Sequence, residues 1–164
     1  AHEEEILARV QALAVEGRFE DWLAAAVLLA QEHPEHGPIR AEAGRACAAQ
    51  QHVAAALEHF NAAEALPLSE AQRLEVLLRK ALLLRRQHKL FDALQSLAQA
   101  EQLAPEHKAL KAVRALVCLS AGRAGEAVAD LLELVLALAD DASELESMQA
   151  LLAWERAELR RLQA

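Results

Sequence analysis

The stretch from Leu84 to Pro105, LRRQHKLFDALQSLAQAEQLAP, decides how the rest of the chain is read. Leu84 to Gln87 close one helix-like run, and a second run follows from Lys89. Within it Ala93, Leu97, Ala100 and Pro105 fall at spacings of +4, +3 and +5. Steps of four and three place side chains on one face of a helix, and a proline without an N–H ends it. The same small–large–small–stop beat starts again at Ala56 and Ala127, and in altered form at Trp22. Successive starts (22, 56, 93, 127) are therefore 34, 37 and 34 residues apart.

The chain on either side divides into helical runs of the same kind. Residues 3–15 are amphipathic, with Ile6, Val10, Leu13 and Ala14 at helical spacing; Gly17-Arg18 breaks the pattern, and Phe19–Glu32 stops at His33-Pro34. A third helix starts near Pro38, where a first-turn proline is tolerated, and reaches about Gln50. His52–Leu66 stops at Pro67. Ser69-x-x-Gln72 has the form of a capping box, in which two side chains satisfy free N–H groups at a helix start, and opens a helix to Arg86. Lys89–Leu103, Glu106–Ser120 and Arg123–Ala139 follow. A second capping box, Ser143-x-x-Glu146, opens a last helix to about Leu162. These runs predict eight helices in four hairpins with a ninth left over, and the extra length between the second and third hairpins lies around Leu68–Gln72.

A helix–turn–helix unit repeating near 34 residues is the signature of the tetratricopeptide repeat (TPR) family, and the chain resembles that family over about residues 3–139. The resemblance implies an all-α solenoid in one domain, residues 1–164, with repeats near 3–36, 37–68, 74–107 and 108–141 and a cap helix at 143–163. It also implies that small residues face each other inside a hairpin: Gly44, Ala81 and Ala115 on the first helices, Ala56, Ala93 and Ala127 on the second. The large residue four further on is Phe60, Leu97 or Leu131, and the next packing residue Ala63, Ala100 or Leu134. The first hairpin departs from this, with Trp22 and Ala26 exchanging large and small and Val10 opposite. Such a swap is tolerated when core volume is kept. Arg9, Lys80 and Arg114 stand where the family is apolar. A terminal helix is expected because each repeat buries its face only against a neighbour; Leu145, Met148, Leu152, Leu159 and Leu162 suit that role.

Composition narrows the function. Aromatics are 3 % of the 164 residues and Tyr is absent, which favours helix over sheet. The net charge of -8 disfavours a nucleic-acid partner, since phosphate binding needs a basic surface. The longest apolar runs, Trp22–Ala30 and Leu134–Ala139, fall far short of the ~20 residues of a membrane span, and the start lacks the basic and apolar regions of a signal peptide. A cytoplasmic location is expected, since oxidising compartments are where Cys pairing is exploited, with a periplasmic one the alternative if a signal peptide was removed. The excess of Arg over Lys (13 to 4) with the abundance of Ala points to a GC-rich bacterial source. Cys47 and Cys118 share one repeat position two hairpins apart. At ~10 Å per helix layer that exceeds the ~7 Å reach of a disulfide, so both are expected reduced and buried.

No catalytic constellation emerges. His2, His33, His36, His52, His59, His88 and His107 lack a completed ligand set at zinc spacing, and His36 and His107 share one repeat position, as turn residues would. No cofactor and no metal are expected, and no nucleophile with its base or phosphate loop occurs. The resemblance places the inner face of the solenoid on the first helices: Arg45, Arg79, Arg85 and Arg86 beside Leu78, Leu82, Leu116 and Leu119, with Trp154 at the cap end. Arginines grip carboxylates in bidentate fashion and leucines take apolar anchors. The competing reading pairs these arginines with Glu42 and Glu75. Some family members hold a C-terminal carboxylate through asparagines here; the corresponding Gln11, Arg45, Leu82 and Leu116 argue against that. Val128–Ala139 is apolar nearly all round, so Val128, Leu132 and Leu136 are candidates for self-association. The expected function is a non-enzymatic module whose concave groove, basic and apolar in character, binds an extended or helical segment of a partner protein that is itself acidic and apolar. The alternatives are a homo-oligomeric scaffold, with a homodimer as the simplest case, or a small bacterial secretion or assembly chaperone, as some members of the family are.

Overall fold

The computed structural model of the chain describes residues 2–123, 125–127, 130, 131, 133, 157, 160 and 161. All regular structure among them is helical: α1 His2–Val15, α2 Phe19–Glu32, α3 Gly37–Ala49, α4 Val53–Glu64, α5 Glu70–Arg86, α6 Leu90–Leu103 and α7 Lys108–Ser120. Residues 125–127, 130, 131 and 133 are helical as well. None of the described helices is long and apolar enough to cross a membrane. The last part of the fourth hairpin, the second capping box and most of the expected cap helix lie outside the described residues.

Four turns carry the repeat into three dimensions. At Gly17, Gln51, His88 and Gly122 the backbone adopts φ of 78°, 67°, 59° and 75°, the left-handed region that L side chains seldom visit. Each follows the first helix of its hairpin, and the residue numbers step by 34, 37 and 34, the intervals of the sequence beat. Every one closes a Schellman motif, in which two N–H groups return to orphan carbonyls at a helix end. The N–H groups of Arg18, His52, Lys89 and Arg123 reach back five residues to Leu13, Cys47, Leu84 and Cys118, at 2.9, 2.9, 2.9 and 2.8 Å.

Helix starts are capped by different means. Ser69 N–H donates to Gln72 Oε1 at 2.9 Å and Gln72 N–H donates to Ser69 Oγ at 3.1 Å, the reciprocal pair of a capping box. The extra length before α5 is further fixed by Arg73, whose Nη1 and Nη2 donate to the Glu64 and Leu66 carbonyls at the end of α4, at 2.8 and 3.2 Å. His36 and His107 are more than turn residues. Their Nδ1 atoms accept the Ile39 and Ala109 N–H groups, both at 3.2 Å, and cap α3 and α7.

The chain divides into two compact units, residues 1–76 and 77–164. In the first, α1 packs on α2, α2 on α3 and α3 on α4. Val10, Trp22, Ala26 and Ile39 share one core, as the exchange of large and small residues requires. Gly44 meets Phe60 so closely that a Cβ there would stand 2.6 Å from the ring, and Phe60 and Ala56 are completely buried. In the second unit α6 packs on α7, and the matching positions Ala81, Ala93 and Leu97 are buried. The sequence equivalence of Leu131 with Phe60 and Leu97 does not carry over to burial, for Leu131 is 42 % exposed. Cys47 and Cys118 are both free thiols and buried, and burial raises each above its ordinary pKa.

Candidate functional site

Within residues 1–76 the first of the expected groove arginines is held by the fold. Glu42, three residues before Arg45 on α3, is buried to 3 % exposure. Its carboxylate accepts the Trp22 indole N–H at 3.0 Å, Gln11 Nε2 at 3.4 Å and Arg45 Nε at 2.9 Å, and Arg45 Nη2 meets the same oxygen. Arg45 Nη1 lies 3.4 Å from Glu75. A carboxylate this deep is stable only when paired and fully hydrogen-bonded, and here three helices supply donors. Arg45 is thus the counter-ion of Glu42 and Glu75, and the pair is largely buried instead of solvated. The i, i+3 spacing of Glu42 and Arg45 is visible in the sequence. Nothing in the sequence ties Trp22 to Glu42, because that bond joins residues 20 apart on different helices.

Within residues 77–164 the other candidates fall into two groups. Leu78 and Leu82, at 3 % and 1 % exposure, contribute interior volume. Arg79, Arg85, Arg86 and Leu116 are half-buried, while Leu119 is 51 % exposed. Arg85 Nη1 donates to Ser120 Oγ at 3.3 Å, which places the end of α5 against the end of α7 beside Leu119. Burial lowers the Arg85 pKa; the guanidinium stays charged in any case. Arg79 and Arg86 are also engaged in polar interactions of the fold. Trp154, Val128, Leu132 and Leu136 lie outside the described residues.

A further ion pair forms at Arg114, where the repeat pattern leads to an apolar residue being expected. Arg114 on α7 donates through Nε and Nη2 to the two oxygens of Asp130, at 3.0 and 2.9 Å, and through Nη1 to Glu101 at 3.2 Å. Asp130 is 6 % exposed. The bidentate contact to Asp130, ahead of the influence of Glu101, raises the Arg114 pKa. The sequence shows the odd residue but gives no hint of its partner. Among the described residues no group of three His, Cys, Asp or Glu side chains is arranged to hold a metal ion.

No known protein family matches the chain by sequence, and no curated protein does. Solved structures do. A thermophilic TPR protein of Thermus thermophilus, TTC0263, shares 25 % identity with a TM-score of 0.69, over 89 % of this chain and 79 % of that one. YrrB, described as a TPR protein with an unusual peptide-binding site, shares 12 % identity over 88 % of this chain and 90 % of its own, at a TM-score of 0.38. That second likeness is too loose to bear on function.

Proposed function

We propose that this tetratricopeptide-like repeat protein is a non-enzymatic module that binds a segment of another protein. The observation that carries the reading is the juncture of α5 and α7, where exposed Leu119 stands beside Ser120 and the Arg85 guanidinium that bonds it. An apolar side chain next to a fixed cation on helical supports suits a segment with an apolar anchor and a nearby carboxylate. Leu116, Arg79 and Arg86 extend that surface in the proposal. Arg45 is left out of it because Glu42 and Glu75 already take its donors. Leu78 and Leu82 act in it only as the packed floor. No cofactor enters, and a cytoplasmic setting fits the composition.

A peptide-library screen tests this. Peptides carrying an acidic residue next to Leu, Ile or Phe are expected to bind wild type and to lose about tenfold or more in affinity with Arg85→Ala or Leu119→Ser, as loss of a charged hydrogen bond or an apolar anchor requires. Equal binding by all three proteins removes this face from the argument.

A second copy of the chain is the competing partner, favoured by the exposure of Leu131, which lies within the apolar run Val128–Ala139 that also contains Val128, Leu132 and Leu136. Light scattering over a range of concentrations distinguishes the two. A dimer that Leu132→Glu or Leu136→Glu makes monomeric supports self-association.

A further inference from the structure

Within residues 1–76, α2 and α4 both pack on α3. An open groove of about 470 Å³ runs between them, with Cys47 of α3 in its lining. Ala24, Val27 and Leu28 line it from α2, and Ala55 and His59 from α4. Leu28 is 55 % exposed, so an apolar side chain stands in water at the edge of an apolar trough. No Asp, Glu, Lys or Arg lines the groove itself.

Carboxylates bracket it instead. Glu20 stands four residues before Ala24, and Glu32 four residues after Leu28. Residues four apart are neighbours on a helix surface, so one stripe of α2 runs Glu20, Ala24, Leu28, Glu32. All four are exposed, and the two carboxylates lie about 18 Å apart along the axis. Across the groove, Glu58 follows Ala55 by three residues on α4 and is exposed as well. The surrounding surface has the same sign. Residues 1–76 hold 13 Asp and Glu against 5 Lys and Arg, whereas residues 77–164 hold 12 of each. The net charge of -8 therefore belongs wholly to the unit that carries the groove.

An apolar trough between two helices suits the apolar face of a third, which docks through anchors at i, i+3 or i+4, and i+7. The carboxylates at both ends select a helix with cations flanking those anchors, and the same charge repels nucleic acid and anionic lipid. We propose that the groove between α2 and α4 is a docking site for a basic amphipathic helix of a partner protein, its apolar face against Val27 and Leu28 and its Lys or Arg side chains at Glu20 and Glu32. This site lies on residues 1–76 and the Arg85–Leu119 face on residues 77–164, so it stands whether or not that reading holds.

The test uses the full chain and two labelled helical peptides. Both carry Leu at i, i+4 and i+7; one has Lys at each flank and the other Glu. Binding is read by fluorescence anisotropy and located by the NMR signals of the His52 and His59 rings, which line the groove. The Lys peptide is expected to bind, to shift both rings and to weaken as salt is raised. The Glu peptide is expected to bind at least tenfold more weakly, because two attractions become repulsions. Glu20→Lys combined with Glu32→Lys is expected to reverse that preference, and Leu28→Asp, at an exposed position, to weaken the Lys peptide at least tenfold. Equal affinity for the two peptides, or binding that leaves both rings unmoved, overturns the proposal. So does a wild-type dimer that Leu28→Asp makes monomeric, which assigns the groove to a second copy of the chain. The peptide comparison needs only the wild-type protein and decides the matter even if a variant fails to fold.

Discussion

At the scale of single residues, the contact between Gly44 and Phe60 shows how a repeat solves a volume constraint. The second hairpin pairs Gly with Phe, and the third has Ala81 and Leu97 at the same positions. Gly44→Ala is expected to destabilise the protein by about 1–3 kcal/mol, the usual cost of overpacking a closed core, since the new Cβ would meet the Phe60 ring at 2.6 Å. Adding Phe60→Leu converts the second hairpin to the solution of the third and is expected to recover most of the loss. A double-mutant cycle by urea denaturation checks this, and strictly additive losses would refute it. His59 gives a pH prediction. Its folded pKa lies below its unfolded value of 6.5, mainly through burial and then through Arg40. Below 6.5 the unfolded chain takes up a proton that the folded chain resists, so this contribution is complete above 6.5 and fades as pH falls through the folded pKa. Wild type is expected to lose more stability than His59→Gln between pH 7.5 and pH 5.5. Equal losses would show that His59 is not the group responsible.

At the scale of elements, the Arg114–Asp130 pair fixes α7 against the helical segment that follows it. Removing one partner leaves the other charge buried, at a cost of up to about 3–5 kcal/mol in a deep site. With 22 % of the Arg114 side chain still exposed, a loss of about 2–3 kcal/mol is expected for Asp130→Ala. Arg114→Leu combined with Asp130→Leu is expected to be close to neutral, because a well-packed apolar pair of similar volume replaces a buried ion pair without leaving a charge unpaired. Thermal melts of the three variants separate these outcomes. The hairpin turns make the complementary point. Neither Gly17 nor Gly122 has an atom within 4 Å of the place a Cβ would occupy, so Gly17→Ala reports only the left-handed backbone and is expected to cost about 1 kcal/mol.

At the scale of the whole molecule, the same turn tests whether the hairpins are independent. Gln51 and His88 hold φ of 67° and 59° without being glycine. Gln51→Gly and His88→Gly each relieve about 1–2 kcal/mol of backbone crowding and lose about 0.4–1 kcal/mol to greater freedom of the unfolded chain. A net gain of about 0.5 kcal/mol apiece is expected, visible as a rise of roughly 1–2 °C in Tm for a chain of this size. The two turns belong to different compact units, so the double variant is expected to show the sum. A shortfall would mean that the turns are energetically coupled.

The repeat was legible in the sequence because everything that sets it is local. Helix period, breaker residues and the Ser69–Gln72 capping box act over three to five residues, and the beat 22, 56, 93, 127 reappears as the turns 17, 51, 88, 122. The candidate binding face was legible only in part. The residues were named, yet whether an arginine there is available depends on carboxylates elsewhere in the chain. Glu42 draws donors from Gln11, Trp22 and Arg45 on three helices, and Arg114 finds Asp130 sixteen residues away. Leu78 and Leu82 are closed inside while Leu119 is left open. By itself the sequence determined the hairpins and their spacing. Tertiary packing alone decided which charges meet and which leucines face water, because those outcomes depend on side chains that only the folded chain brings together.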